Sequence, residues 1–336
     1  MAIELGRRQF VTALGGAVVA WPLATNAQQS GRVARLGILV GLPEGDPEGQ
    51  RWLKALLEGL EKLGWNDGVN LRIDLRWGGV DPDHMQKLAK ELVDLHPDVI
   101  NVTSTPATAA ILRETKTIPV VFSVVSDPIG SGFVQSLVRP GGNATGFLNI
   151  ETSVGTKWLE LLKEIAPGTS RVSVLFNPRT SPQTPFYLQS MQSAAEQLKL
   201  PLAVKELGSV DDIETAIAEL ARSPGGGLVL TPDLFTAAQT QRELIISLAA
   251  RDRIPAVYCL AVFVRAGGLV SYGTDQPDLQ RRAASYVDRI FKGERPENLP
   301  VQQPTRFEFV VNLKTARTLG LTVPPSLLAT ADEVIE

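Results

Sequence analysis

The sequence has one cysteine, Cys259, in 336 residues. That excludes an intramolecular disulfide and a lipid-anchoring cysteine near residue 27, and it leaves stability to packing. Histidine is nearly as scarce, with only His84 and His96 present. Both fall on or just after a predicted helix, far in sequence from Cys259, and no His, Cys or Asp spacing matches a metal site. Surface histidines are the simpler reading of both. There is no basic excess either: Lys and Arg number 33 against 36 Asp and Glu, for a net charge of −3. A nucleic-acid partner is therefore disfavoured. The chain also lacks the G-x-x-x-x-G-K-[ST] phosphate loop and the G-x-S-x-G nucleophile elbow. Gly225-Gly226-Gly227 precedes a strand instead of following one, which makes it a turn and no nucleotide fingerprint. No base, nucleophile, metal ligand set or cofactor motif is nominated, so no catalytic residue is expected. No strict repeat and no low-complexity segment interrupts the chain.

Long apolar runs are missing except at the amino terminus. Arg7-Arg8 precede the uncharged stretch 10–24, and Thr25-Asn26-Ala27 offers a small-residue cleavage site. Residues 1–27 read as an export signal. At about 15 residues the run is short of the ~20 needed to span a bilayer, so the mature chain is not expected to be membrane-spanning. GRRQFV resembles a twin-arginine export motif, with Gly6 where Ser or Thr is usual. A disordered basic start is the plainer alternative. The mature protein is expected free in a periplasm.

What is present is a soluble α/β composition. Apolar residues make up 44% and charged residues 21%, and the length suits two domains, each with its own core. Residues 33–40 form a β-rich run. Trp52, Leu53, Leu56, Leu57, Leu60 and Leu63 then recur at helical spacing until Gly64. The alternation repeats through residues 69–77, 82–95, 98–103 and 106–114. In the stretch 116–146, the apolar run 118–125 ends in Ser126-Asp127-Pro128, a helix of about ten residues is expected next, and Arg139-Pro140-Gly141-Gly142 turns into an exit strand. A second series of strands and helices follows from 154 to 258. A late unit comes after Gly268, and a Pro-rich connection at 295–304 leads to a further strand. Strands alternating with helices imply parallel sheets flanked by helices. The late unit implies that the chain crosses between lobes more than once, which makes a hinge.

Four strand ends place a capping residue before proline: Thr105-Pro106, Asp127-Pro128, Asn177-Pro178 and Thr231-Pro232. Each is a helix start in its own right. Parallel strands also align such junctions along one edge, and two facing edges would surround a small ligand with free backbone N–H groups. Asp127 and Asp233 are the acids placed to meet a cationic group, with helix capping as the alternative. Of Phe122, Phe147, Phe186, Tyr187, Phe235, Tyr258 and Tyr272 near the strand ends, two or three are expected to touch ligand; Phe235, Tyr258 and Tyr272 are the candidates. The 41–47 loop, with Glu44 and Asp46, is a plausible lip of the cleft.

The stretches IPVVFSVVSDPIGSGFV, RPGGNATG, FVRAGGLVSYGTD and QPTRFEFVVNLKTARTLGLTVPPSLLATADEVIE resemble the ABC-transporter substrate-binding protein family, whose characterised members bind tryptophan and related amino acids. The resemblance runs from about Arg32 to the end. It implies a two-lobed periplasmic-binding-protein fold of type I-like class, with lobe one at 32–147 and 268–296 and lobe two at 148–267 and 297–336. It also implies a ligand between the lobes. In amino-acid-binding relatives, hydroxyl and backbone groups hold the carboxylate, an acid holds the ammonium and aromatics sandwich the side chain. The positions implied here are Ser104, Thr105, Ser126, Asp127, Thr145, Asn177 and Asp233. Tryptophan-binding members tend to show Asp-Asn where this chain has Asp233-Leu234. The function implied is capture of a small ligand by a monomer for an inner-membrane ABC permease and its ATPase. A periplasmic sensor subunit, or an α/β hydrolase or isomerase, are the alternatives.

Overall fold

The structure, a computed structural model, describes residues 32–336; the export segment read at 1–27 lies outside the described residues. Five apolar runs form a parallel sheet: β1 (Ala34–Val40), β2 (Leu71–Trp77), β3 (Val99–Thr103), β4 (Val120–Val125) and β5 (Ala144–Leu148), in the order β2-β1-β3-β4-β5. β3 and β4 are buried along their whole length, as expected of strands covered on both faces. The covering helices are α1 (Pro47–Lys62), α2 (Pro82–Asp94) and α3 (Thr105–Glu114). α1 and α2 start alike: Asp46 and Asp81 cap them by accepting from the N–H groups of Glu48 and Asp83, with proline at the first helical position.

The chain then builds a second, seven-stranded sheet from β6 (Arg171–Phe176), β7 (Leu202–Glu206), β8 (Gly226–Leu230), β9 (Ala256–Tyr258), β10 (Val270–Thr274), β11 (Phe307–Asn312) and β12 (Glu333–Ile335). Its order is β12-β11-β10-β9-β8-β6-β7, parallel except for the β10–β11 pair. Around it lie α4 (Val154–Ile165), α5 (Thr184–Leu198), α6 (Val210–Ala221), the single turn α7 (Leu234–Ala237), α8 (Gln239–Arg251) and α9 (Ala261–Arg265). α10 (Gln276–Phe291) follows β10, and α11 (Leu313–Thr318) and α12 (Pro325–Thr330) close the chain. Among the described residues no helix is long and apolar enough to cross a membrane.

Two apolar cores underlie the two sheets, one formed mainly by residues 34–148 and the other by residues 150–270 and 309–327. The first core also takes Leu279, Ala283, Val287 and Ile290 of α10, together with Leu299 and Val301. The chain therefore passes between the α/β domains three times, near residues 149–153, 275 and 303–306. This differs from the division expected at residue 268. β10 pairs with β9 and β11 and so belongs to the second sheet; only the amphipathic α10 returns to the first. Residues 299–301 also stay with the first core.

A second difference concerns the stretch after Pro128, where a helix of about ten residues is expected and turns are found. Asp127 accepts from Gly130 N at 2.8 Å, which starts a turn. Gly132 then takes a φ of +72°, a value that interrupts a right-handed helix.

Candidate functional site

The parallel strands of each sheet end in loops, and these two loop edges meet. From the first sheet come residues 41–46 after β1, Ser104 after β3 and Ser126–Gly130 after β4. From the second come residues 177–183 after β6, 231–233 after β8 and Asp275-Gln276 after β10. Open α/β sheets bind ligands at such carboxyl ends. Backbone strain collects on the first of these edges. Of six non-glycine residues with positive φ among the described ones, Ser104 (85°), Val124 (58°) and Asp127 (44°) lie here. Such conformations cost about 1–3 kcal/mol each and gather at functional sites.

Several contacts join the edges. Tyr187 Oη lies 2.8 Å from Ser126 Oγ and 3.0 Å from the Ile150 carbonyl. A carbonyl can only accept, so the phenol gives its proton to Ile150 and receives the serine's. Burial pushes the Tyr187 hydroxyl well above its ordinary range, which keeps it protonated. Asp46, the cap of α1, accepts from the backbone N–H of Gln239 at 2.9 Å and lies 3.6 Å from Arg242 Nη1. Leu234 is buried in the first core although it begins α7 of the second domain. At the rim, Arg179 bonds Asp83 at 2.7 Å.

The expected site residues divide into two groups. Ser104, Thr105, Ser126, Asp127 and Asn177 stand at the meeting edges. Ser104 caps α3 by accepting from Ala107 N, and Thr105 Oγ1 accepts from Ser126 N at 3.3 Å. Asn177 Oδ1 accepts from Arg179 N at 2.8 Å. Asp127 is half-buried; its Oδ1 takes Gly130 N, and its Oδ2 has no hydrogen bond among the described residues. A Cβ placed on Gly130 would lie 2.2 Å from that Oδ2 and 3.0 Å from Phe186 Cζ, so an exposed aromatic of the second domain stands beside this carboxylate.

The others are occupied by architecture. Thr145 is buried within β5 and donates to Leu299 O at 2.5 Å. Phe235 and Tyr258 belong to the second core, where Tyr258 stacks on Phe263 at 4.7 Å. Tyr272 stacks on Phe307 across the β10–β11 pair at 5.7 Å. Asp233 caps α7 and receives four donors: Asn177 N at 3.1 Å, Thr180 Oγ1 at 2.5 Å, Phe235 N at 3.1 Å and Thr236 N at 3.3 Å. A carboxylate offers about four acceptor positions, so Asp233 is saturated by its own domain. Burial pushes its carboxyl up while these four donors pull it back.

The sequence reading passed over the amides at the crossings. Gln276 Nε2 donates to Asn149 Oδ1 at 2.6 Å and Thr274 Oγ1 at 2.8 Å. Gln183 Nε2 donates to Pro232 O at 2.7 Å and Ser181 Oγ at 3.0 Å. The available signal was position alone, since each glutamine follows a strand end of the second sheet. Asp46 was noticed as a lip, but its partner Arg242 sits 196 positions away, and no spacing rule connects them.

Two parallel α/β domains, three chain passages and facing carboxyl edges define a hinged binding protein of the type I periplasmic class. The chain belongs to a particular group of these: the ABC transporter substrate binding protein family, whose sequence profile matches residues 46–335. A tyrosine-binding protein of Clostridioides difficile is 26% identical over 271 residues, which is 80% of this chain and 76% of that one. The crystal structure of an ABC domain in complex with L-Trp from Streptococcus pneumonia superposes with a TM-score of 0.82 at 25% identity, covering 90% of this chain and 99% of that one. The ligand-free, open structure of a substrate-binding protein with adhesive properties from Clostridium difficile has the same identity and coverage but a TM-score of 0.66. With identity and coverage equal, this chain superposes better on the tryptophan complex than on the open form.

Proposed function

We propose that this chain is an exported solute-binding protein that closes its two domains around a free amino acid, with aromatic ones the leading class, and presents it to an inner-membrane ABC permease and its ATPase. The observation that carries this is the joined pair of carboxyl edges, held by Tyr187 and Ser126, in a chain that superposes better on the L-Trp complex than on the open relative. The division into domains is taken at residues 34–148 with 276–302, and 149–275 with 303–336. The three passages between them supply the hinge.

In this reading Ser104, Thr105 and Asn177 line the cleft with hydroxyl, amide and backbone groups that suit a carboxylate, and Ser126 stands beside them with its donors engaged by Tyr187 and Thr105. Asp127 Oδ2 supplies the negative charge and Phe186 an aromatic surface beside it. No bond is made or broken. The cycle is ligand affinity set against domain opening, because a ligand shifts the balance only by its differential affinity for the closed form.

Titration calorimetry of the mature protein against the twenty amino acids, small carboxylates and polyamines tests this. Saturable binding of one or a few amino acids is expected, weakened tenfold or more by Asp127→Ala with the melting temperature little changed. Absence of any amino-acid binding would refute the reading.

A further inference from the structure

Among the described residues, six buried side-chain polar atoms have no hydrogen-bond partner: Asn101 Oδ1, Thr169 Oγ1, Gln183 Oε1, Arg242 Nε, Ser271 Oγ and Gln276 Oε1. Asn101 and Ser271 lie within strands, and Thr169 precedes β6 at the far end of the second sheet. Arg242 belongs to the contact with Asp46. The two glutamines differ from the rest in place and in kind. Gln183 lies on the loop after β6 and Gln276 is the first residue of α10, just past β10; both stand where the domains meet, and both carry an amide carbonyl. Gln183 is 4% exposed and Gln276 is 3% exposed.

The Gln183 carbonyl does not point out by an arbitrary choice of amide orientation. Its amide nitrogen faces Pro232 O, an atom that can only accept, so the nitrogen must be on that side. Gln276 is different: its amide and that of Asn149 can turn together about the Thr274 hydroxyl with every bond kept, which gives its carbonyl two donors. At Gln183 the neighbouring protein fixes the nitrogen, and the oxygen is left without a donor. Desolvated acceptors of this kind are rare unless a partner arrives. They also discriminate, because an approaching acceptor such as a carboxylate leaves them unpaired while an N–H donor satisfies them.

We propose that Gln183 Oε1 is a ligand acceptor that selects a molecule carrying a primary ammonium, and that it receives an N–H of that group through a neutral carbonyl. The proposal rests on the cleft being an amino-acid site and names what reads the amino group there. It explains how an ammonium can be held although Asp233 is saturated: the charge is balanced by Asp127 and a hydrogen bond is taken by the amide.

The test is a ligand-pair cycle. L-Tryptophan, L-tyrosine and their deaminated analogues, 3-(indol-3-yl)propionate and 3-(4-hydroxyphenyl)propionate, are titrated into the wild-type protein and into Gln183→Met and Gln183→Leu separately. The expected result is that each variant lowers the affinity for the amines tenfold or more while the deaminated acids change less than threefold. A glutamine that only supports its loop lowers both members of a pair equally, and that outcome overturns the proposal while leaving amino-acid binding intact. If no amino acid binds the wild type, the amino-acid reading and this proposal fall together. Either variant alone decides the matter should the other fail to fold, and a melting curve of each establishes which can be used.

Discussion

The contact between Asp46 and the start of α8 should set how much of the protein is closed before any ligand arrives. Asp46 serves two masters: Oδ1 caps its own helix through Glu48 N at 2.9 Å, and Oδ2 reaches Gln239 N and Arg242 of the other domain. Asp46→Asn separates these roles. Asparagine is as good a cap as aspartate, so α1 keeps its start, but the amide nitrogen cannot accept and the charge opposite Arg242 is gone. In the open form both partners face water, so the substitution acts on the closed form alone. A hydrogen bond to a charged group contributes about 1.5–3 kcal/mol, and every 1.4 kcal/mol is a factor of ten. The closed-to-open ratio should therefore fall by roughly ten- to a hundredfold. Small-angle scattering without ligand should show a larger radius of gyration, and calorimetry should show affinity reduced by up to the same factor, with the melting temperature nearly unchanged. Since the pair is almost fully buried, at 5% and 1% side-chain exposure, moderate salt should not imitate the effect. Unchanged scattering and unchanged affinity would refute the reasoning. A large fall in melting temperature would show instead that Asp46 holds its own domain together.

Other substitutions follow from the same geometry. Asp233→Asn turns a nitrogen toward backbone donors and should cost about 2–3 kcal/mol of folding stability, read by chemical denaturation; a loss confined to ligand affinity would return Asp233 to the ligand. Tyr187→Phe keeps the ring in its core contacts and removes the bridge to Ser126 and Ile150, so about 1 kcal/mol of closure should be lost, seen as weaker binding at an almost constant melting temperature. A Cβ on Gly146 would sit 1.9 Å from Phe122 O, so Gly146→Ala should destabilise the β4–β5 pairing by about 2–3 kcal/mol in the same denaturation assay. Asp212 completes a capping box with Ser209, and the N–H of Gly208, with the Ser209 donors, holds its carboxyl below the usual range. Its folded value is depressed, so its stabilisation is present above the unfolded value and is lost as pH falls through the folded one. Asp212→Ala should accordingly lower the melting temperature more at neutral pH than in acid, the difference shrinking as the pH falls.

Much of the architecture was legible because the two periods it rests on are local. Buried runs such as Val120–Val125 and helical stripes such as Trp52, Leu56 and Leu60 announce themselves within ten residues. The errors came where a long-range partner decided the outcome. The run after Gly268 looks the same whichever sheet it joins, and only its pairing with β9 and β11 assigns it. The stretch after Pro128 has helix-compatible spacing, yet Asp127 and the left-handed Gly132 turn it into loops. In the site, the strand-end positions could be read from sequence, but the engagement of their side chains could not. Thr145 and Asp233 differ from Asp127 in what their oxygens already hold, and that is a property of the assembled loops.

That distinction bears on how such a cleft can both hold and release. Several aspartates near the junction are committed to helix starts: the buried Asp46, Asp233 and Asp275 each accept from a backbone N–H of the helix they begin. Buried charges satisfied in this way cannot be reassigned to a ligand without leaving orphaned donors, so they make the edges rigid. In the proposed site, what remains for a ligand is neutral and short-ranged, namely hydroxyls, backbone groups and an amide carbonyl, with one half-buried carboxylate oxygen at Asp127. A site built chiefly from neutral groups binds through geometry that exists only when both edges are together. Opening then breaks several moderate contacts at once, so affinity for the ligand falls as the domains separate.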